Sequence, residues 1–339
     1  MGEPTLKSLL RSRFRATLLG GAIGDALGFP FEGYSSSFMA ALGNEATQQF
    51  VRHRSGYFPA GQYSDDTQLT LATVEALLEQ RGFDGAAIAR HFVPLWRDNL
   101  VVGRGRATSE AIDRLLNGTA DWQTSGAEEG RAGNGAAMRA APFGLLDFDD
   151  TERLIEHAVA ASRITHKDPL AVAGAVAIAA AVAYNLTHRD VILGEFLDCV
   201  GGATRGVDAR FANYVITMPR LLSLREEAAV DEISTTGLDG PYRESGDGIA
   251  PFVVPSVLIA LYHFLRTPHD FRATVRGCLY AGGDVDTTTA LAGAVSGALN
   301  GEAALPQNLV ESLQDAARIR DLADQLHELK TGGRRLAAV

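Results

Sequence analysis

From Pro169 to Leu186 the chain is almost entirely Ala and Val, closing on Tyr184 and Asn185 before a final Leu. A run of this kind has only two homes. One is a lipid bilayer, but a span needs about 20 predominantly apolar residues. The run barely reaches that length, and alanine gives little drive for insertion. The other home is the centre of a protein, where a helix that is apolar all round is walled in by its neighbours. The second reading is preferred, and it demands a chain large enough to supply the walls. With 339 residues, 46% of them hydrophobic and 21% charged, this chain is large enough.

The walls read as helices. Thr67 to Gln80 (TQLTLATVEALLEQ) places Leu69, Ala72, Ala76 and Leu77 on one stripe, widened by Leu71, Val74 and Leu78, before Arg81-Gly82 stops it. The same signals predict helices at about 7–25, 85–99, 107–117, 151–161, 168–187, 190–200, 206–226, 251–266, 269–279, 287–299 and 307–331. No alternating run bounded by turn residues reads as a strand. The expectation is therefore an all-α fold: one multi-helix domain over residues 1–331, with 332–339 a frayed tail. Gly, Ser, Thr and Gln cluster in 34–63 and 118–136, which read as long loops. Residues 231–248 read as a third, partly mobile one.

Composition removes several function classes. A formal net charge of −10 disfavours a nucleic-acid backbone or an anionic membrane as main partner. Two distant cysteines, Cys199 and Cys278, exclude a disulfide framework and a thiolate zinc site, and read as free thiols in a reducing cytoplasm. Asp25 interrupts the apolar run that a signal peptide would need, and Leu6 breaks a myristoylation pattern. Neither G-x-S-x-G nor G-x-x-x-x-G-K-[ST] is present. His269-Asp270 is the one His-Asp pair and lacks the upstream histidines of a di-metal phosphohydrolase.

Two segments carry chemistry. Tyr63-Ser64-Asp65-Asp66-Thr67 leads into one helix, and Gly282-Gly283-Asp284-Val285-Asp286-Thr287-Thr288 leads into another. Either segment alone reads first as helix capping, since Ser, Thr and Asp suit N-termini. Capping needs one side chain, however, and each segment supplies several. Neither contains a Lys or Arg to neutralise its carboxylates. Oxygen donors of this kind suit a hard divalent cation, and if the segments meet in space the natural occupant is Mg2+ or Mn2+. Ala290, Gly293 and Gly297 fall on one face of the second helix and predict close approach by a neighbouring backbone.

These segments resemble the paired metal motifs of the ADP-ribosylglycohydrolases, and the likeness continues in order along the chain. Gly20-Gly21-Ala22-Ile23-Gly24-Asp25-Ala26-Leu27-Gly28 with Pro30 and Glu32 resembles the family's opening segment. Gly133-Asn134-Gly135 leading to Met138-Arg139 and Pro142 resembles its ligand loop. Thr165-His166 and Val254-Pro255-Ser256 also fit.

The resemblance implies an all-α domain with an ADP-ribose cleft above two divalent ions, Mg2+ or Mn2+. It makes Ser64, Asp65, Asp66, Asp284, Asp286 and Thr287 ligands, with Asp286 the bridging carboxylate. It places Glu32 on a mobile loop over the site, and Glu32, Asp65 and Asp286 become the catalytic set. Two departures are minor: Ser64 stands where many members have Thr, and Val285 replaces a small or polar residue and should point away from the metals.

Substrate contacts are expected at Gly103, Gly105, Gly133, Asn134 and His166. Gly-rich turns offer N–H groups to a diphosphate, and His166 would hydrogen-bond the ribose or phosphate. Phe143 and Tyr242 are the aromatic residues considered for adenine, though nothing selects them. The implied reaction is hydrolysis of the bond from ADP-ribose to an acceptor, arginine N-linked on protein for preference. The alternatives are O-linked acceptors (serine or O-acetyl-ADP-ribose) and ADP-ribose binding without turnover. Partners would be ADP-ribose and a modified substrate, with no membrane, and with nucleic acid only as a modified acceptor.

Overall fold

The buried apolar side chains form one continuous cluster that runs from Leu10 to Leu326, with a small satellite around Met39, Ala46, Leu279 and Val285. The computed structural model of the chain describes residues 6–238 and 247–332. Helices build it: α1 (Leu6–Gly28), α2 (Ser36–Ala41), α3 (Asp65–Gln80), α4 (Gly85–Arg97), α5 (Arg106–Leu116) and α6 (Ala141–Leu146). Then come α7 (Thr151–Ser162), α8 (Pro169–Thr187), α9 (Leu193–Arg205), α10 (Ala209–Ile216), α11 (Met218–Ser223) and α12 (Glu226–Thr235). The chain closes with α13 (Val253–Arg266), α14 (Phe271–Ala281), α15 (Val285–Asn300), α16 (Gln307–Ser312) and α17 (Ala316–Thr331). No strand occurs among the described residues, and the fold is all-α.

The Ala/Val run is α8, buried from Ala171 to Leu186 and enclosed by α6, α7, α9, α13 and α15. Its small side chains let five helices approach one axis, which explains why the run is alanine rather than leucine. α1 and α15 form the second organising pair and run antiparallel. A Cβ on Gly24 would lie 2.0 Å from the Thr289 carbonyl oxygen, and one on Gly293 would lie 2.1 Å from that of Gly20. The small-residue face expected on α15 is thus filled by the backbone of α1. The Thr289 hydroxyl donates to the Gly24 carbonyl at 2.7 Å and fastens the contact.

Several element boundaries differ from the sequence reading. The helix expected over 206–226 is two, α10 and α11, because Pro219 in the first turn of α11 has no N–H to continue α10. The loop expected over 231–248 begins as helix, since α12 extends to Thr235; 239–246, with Tyr242, lie outside the described residues. The helix expected over 307–331 breaks into α16 and α17 around Asp315, whose φ of 57° is left-handed, a conformation Asp tolerates better than most residues. Within the loop expected over 34–63 lies α2, capped by the Ser35 hydroxyl, which accepts the Phe38 N–H. α6 was not anticipated. Of the tail read as frayed, 333–339 lie outside the described residues.

Candidate active site

The N-terminus of α3 carries Asp65 and Asp66, and that of α15 carries Asp284 and Asp286; the fold brings both to one cavity of about 480 Å³. Glu32, Thr287, Gly105, Gly133, Asn134 and His166 also line it. Ser64 and Gly103 do not line it but sit directly behind Asp65 and Asp66. A Cβ on Gly103, whose φ is +72°, would lie 3.1 Å from Asp65 Oδ1. The two segments therefore meet.

Capping accounts for little of this acidity. Ser64 is the cap residue of α3, and its hydroxyl takes the Asp66 N–H at 3.3 Å. The better bonds come from Asp25 in α1, a residue the sequence analysis placed in the family-like opening segment without assigning it a role. Asp25 is fully buried and accepts the N–H groups of Ser64 (2.9 Å) and Thr67 (3.0 Å) and the Thr67 hydroxyl (2.6 Å). On α15, Asp284 occupies the cap position yet its side chain caps nothing. It accepts instead from the Asn134 amide, which also donates to the Ser256 hydroxyl at 2.9 Å. Asn134 thus holds an aspartate, and Ser256 of the Val254-Pro255-Ser256 segment holds Asn134.

Electrostatics decide what the cavity floor requires. Burial raises Asp25 and Asp284 to about 6, and drives Asp65, Asp66 and Asp286 well above the usual carboxylate range, with their mutual repulsion adding to it. None of the five joins an ion pair among the described residues. Asp66 Oδ1 and Asp286 Oδ1 are buried and accept no hydrogen bond. Oxygens of Glu32, Asp284 and Asp286 lie within 4.8 Å of one another. Beside them, Asp66 Oδ2 is 3.3 Å from the Ser64 hydroxyl and 3.4 Å from that of Thr287. Orphaned carboxylate oxygens converging with hydroxyls are a donor set that fits hard divalent cations. Val285 points away, into the satellite cluster with Met39 and Leu279.

Glu32 stands at the mouth, accessible to solvent but walled by protein on its inner side. Partial dehydration raises its carboxyl, and Arg54 opposes the shift. The chain just past Glu32 is hydrogen-bonded to the second aspartate segment: Gly33 N–H donates to the Gly283 carbonyl (2.8 Å), and Gly283 N–H to that of Tyr34 (2.7 Å). The general base candidate is thus tied by backbone to the segment bearing Asp284.

The opposite wall is built on Arg139, which is 2% exposed and pairs with no carboxylate among the described residues. Its guanidinium donates to the carbonyls of Gly135 and Ala161 and to the Thr165 hydroxyl, and lies over the Phe92 ring. Burial pulls it down to about 9, so it remains charged at neutral pH. Thr165 accepts from Arg139, which leaves its own proton for His166 Nδ1 at 2.8 Å. Burial and Arg139 depress His166 to about 3. The ring is therefore neutral, with Nδ1 engaged by Thr165 and Nε2, the nitrogen beside Gly133, on the side of the cavity. Arg104, Arg106 and Arg131 line the rim. Phe143 lies in the core, 2% exposed and edge-on to Phe83, so it offers no face to a ligand.

Comparisons with known proteins converge. A family model for ADP-ribosylglycohydrolases matches residues 6–335. An uncharacterized protein of Archaeoglobus fulgidus is 30% identical, over 94% of this chain and 97% of its own length. ADP-ribosylhydrolase ARH3 of Xenopus tropicalis is 28% identical over 94% of this chain and 95% of its own, and its human counterpart is also 28% identical. A solved structure described as an ADP-ribosylglycohydrolase-related protein complex superposes with a TM-score of 0.70 at 26% identity, covering 95% of this chain and 99% of the other.

Proposed function

Because the chain belongs to the ADP-ribosylglycohydrolase family and is thereby a glycosidic-bond hydrolase, we propose that it releases ADP-ribose from an acceptor in a reaction that depends on two divalent metal ions. The observation that carries the metal reading is the pair of orphaned, buried oxygens on Asp66 and Asp286 within one acidic floor. Ser64, Asp65, Asp66, Asp284, Asp286 and Thr287 would hold Mg2+ or Mn2+. Bound there, the ions would orient the ribose hydroxyls and the attacking water and stabilise negative charge developing on those oxygens.

The chain's own groups then divide the remaining work. Glu32 accepts the proton of the attacking water as the bond from the ribose C1″ to the acceptor breaks, and returns it to the departing acceptor atom. Its raised carboxyl makes it a better base than an ordinary glutamate, and Asp65 and Asp286 are the reserve candidates. His166 Nε2–H donates to the ligand. The Gly133–Gly135 loop and the Arg104, Arg106 and Arg131 rim favour the diphosphate, with buried Arg139 adding fixed positive charge behind them. Gly105 N–H already serves Asp65, which ties that turn to the acidic floor.

Charge supports two readings of the acceptor. The chain's net −10 and Glu32 at the mouth suit a guanidinium, so arginine-linked ADP-ribose on protein is the first reading, in a cytoplasmic setting. An O-linked acceptor, serine or O-acetyl, is the second, because the arginines on the rim would repel a cation. Turnover of matched arginine-linked and serine-linked substrates in Mg2+, Mn2+ or EDTA separates them. Metal-dependent release by the wild type that Asp286→Ala abolishes is expected. Equal release in EDTA would discard the metal role, and no release from any linkage would leave ADP-ribose binding as the function.

A further inference from the structure

We propose that Asp25 is a positioning residue that sets the metal-binding segment of α3 in register with that of α15; this rests on the metal reading above. Asp25 touches none of the reacting groups, and every hydrogen bond it accepts comes from the first turn of α3 or its cap. Those three bonds bracket Asp65 and Asp66, from Ser64 on one side to Thr67 on the other. They satisfy the N–H groups of Ser64 and Thr67 on either side of the pair, so neither aspartate is needed to cap those two. Both aspartates line the cavity, and Asp66 keeps one buried oxygen, Oδ1, without a hydrogen-bond partner.

One turn further along α1, Gly28 lies so close to α15 that a Cβ there would be 2.5 Å from the Asp286 Cα. A single rigid helix thus grips both halves of the site within one turn: α3 through the Asp25 carboxylate, and α15 through backbone contact at Gly24 and Gly28. A buried carboxylate is costly to keep, and an ordinary helix start makes do with one capping side chain such as Ser64 and water for the remaining N–H groups. Register between two cation half-sites is what the more expensive arrangement gains.

Titration of the purified, EDTA-stripped full chain with Mn2+, read by calorimetry and by the electron paramagnetic resonance of bound Mn2+, tests the assignment. Asp25→Asn is expected to weaken Mn2+ by about 10- to 100-fold, the range typical of lost outer-shell partners, and to change the resonance spectrum of what still binds. Because that substitution touches the core, Thr67→Val and Thr67→Ser form a second pair. Val removes one hydroxyl bond to Asp25 and should weaken Mn2+ several-fold; Ser keeps the donor and should restore wild-type affinity. Near-UV circular dichroism checks that each variant is folded at the titration temperature. Wild-type affinity and spectrum in folded Asp25→Asn, or in both Thr67 variants, would overturn the positioning role while leaving the metal reading intact. Failure of the wild type itself to bind Mn2+ would overturn both.

Discussion

Glu32 and Asp286 are carboxylates in opposite circumstances. Glu32 is accessible at the mouth, whereas Asp286 is buried with one oxygen unpartnered. Their substitutions should separate accordingly. Glu32→Gln keeps the shape of the side chain but removes the base, and is expected to lower kcat by about 100-fold or more. ADP-ribose affinity and Mn2+ affinity should stay within a few-fold of wild type. Steady-state kinetics beside calorimetry check this, and a loss of Mn2+ binding in Glu32→Gln would recast the residue as a ligand. Asp65, Asp66, Asp284 and Asp286 were legible in the sequence because unneutralised acids inside apolar helices are anomalous wherever the chain goes. Asp25 and Arg139 were not legible as site builders. A lone buried charge announces its partners only in three dimensions, and most of those partners are backbone groups, which carry no sequence signal. The spacing of Gly20, Gly24 and Gly28 around Asp25 was the nearest available hint, since it marks the face of α1 pressed against another backbone.

At the scale of elements, the α1–α15 contact is where the fold and the site share a constraint. Any side chain on Gly24 must displace the Thr289 carbonyl, so Gly24→Val forces the helices apart along the line that ends at Asp286. Overpacking of this kind costs on the order of 3 kcal/mol, and thermal melts should show the variant several degrees less stable. Mn2+ affinity should fall with it. A control at Gly194, where a Cβ meets nothing, should melt like wild type, and equal melting of Gly24→Val would refute the close contact. Long elements with strong periodicity, such as α3, α8 and α15, were readable because one face or all faces must be buried. The breaks were harder. α10 and α11 divide at a proline that a continuous apolar pattern obscures, and α16 and α17 divide at a left-handed Asp315 held by the Tyr63 hydroxyl at 2.8 Å. That partner lies far away in sequence, so no local pattern could mark the break.

For the whole molecule, the acidic floor is a store of unfavourable free energy that a cation would relieve, and this gives stability a pH dependence of known sign. Asp25 and Asp284 are raised to about 6, and Asp65, Asp66 and Asp286 are raised well above the ordinary carboxylate value. In EDTA, the folded chain therefore binds more protons than the unfolded chain above the ordinary carboxylate value near 4. Stability from these groups is fully present below that value and is lost as pH rises through about 6 and beyond. His166 and His263, depressed to about 3 by burial, act oppositely: their contribution is present above about 6.5 and is lost as pH falls toward 3. A melt in EDTA alone mixes the two trends, but the histidine contribution is common to both conditions and cancels in the difference between Mn2+ and EDTA. Protons compete with the cation for the same oxygens, so the gain in Tm from Mn2+ should be small near pH 5 and grow toward pH 7.5. At about 100 times Kd it should reach on the order of 5 °C. Asp286→Ala should flatten the difference at every pH. A gain that does not change with pH, or one larger at pH 5, would mean that the cation binds somewhere other than these carboxylates.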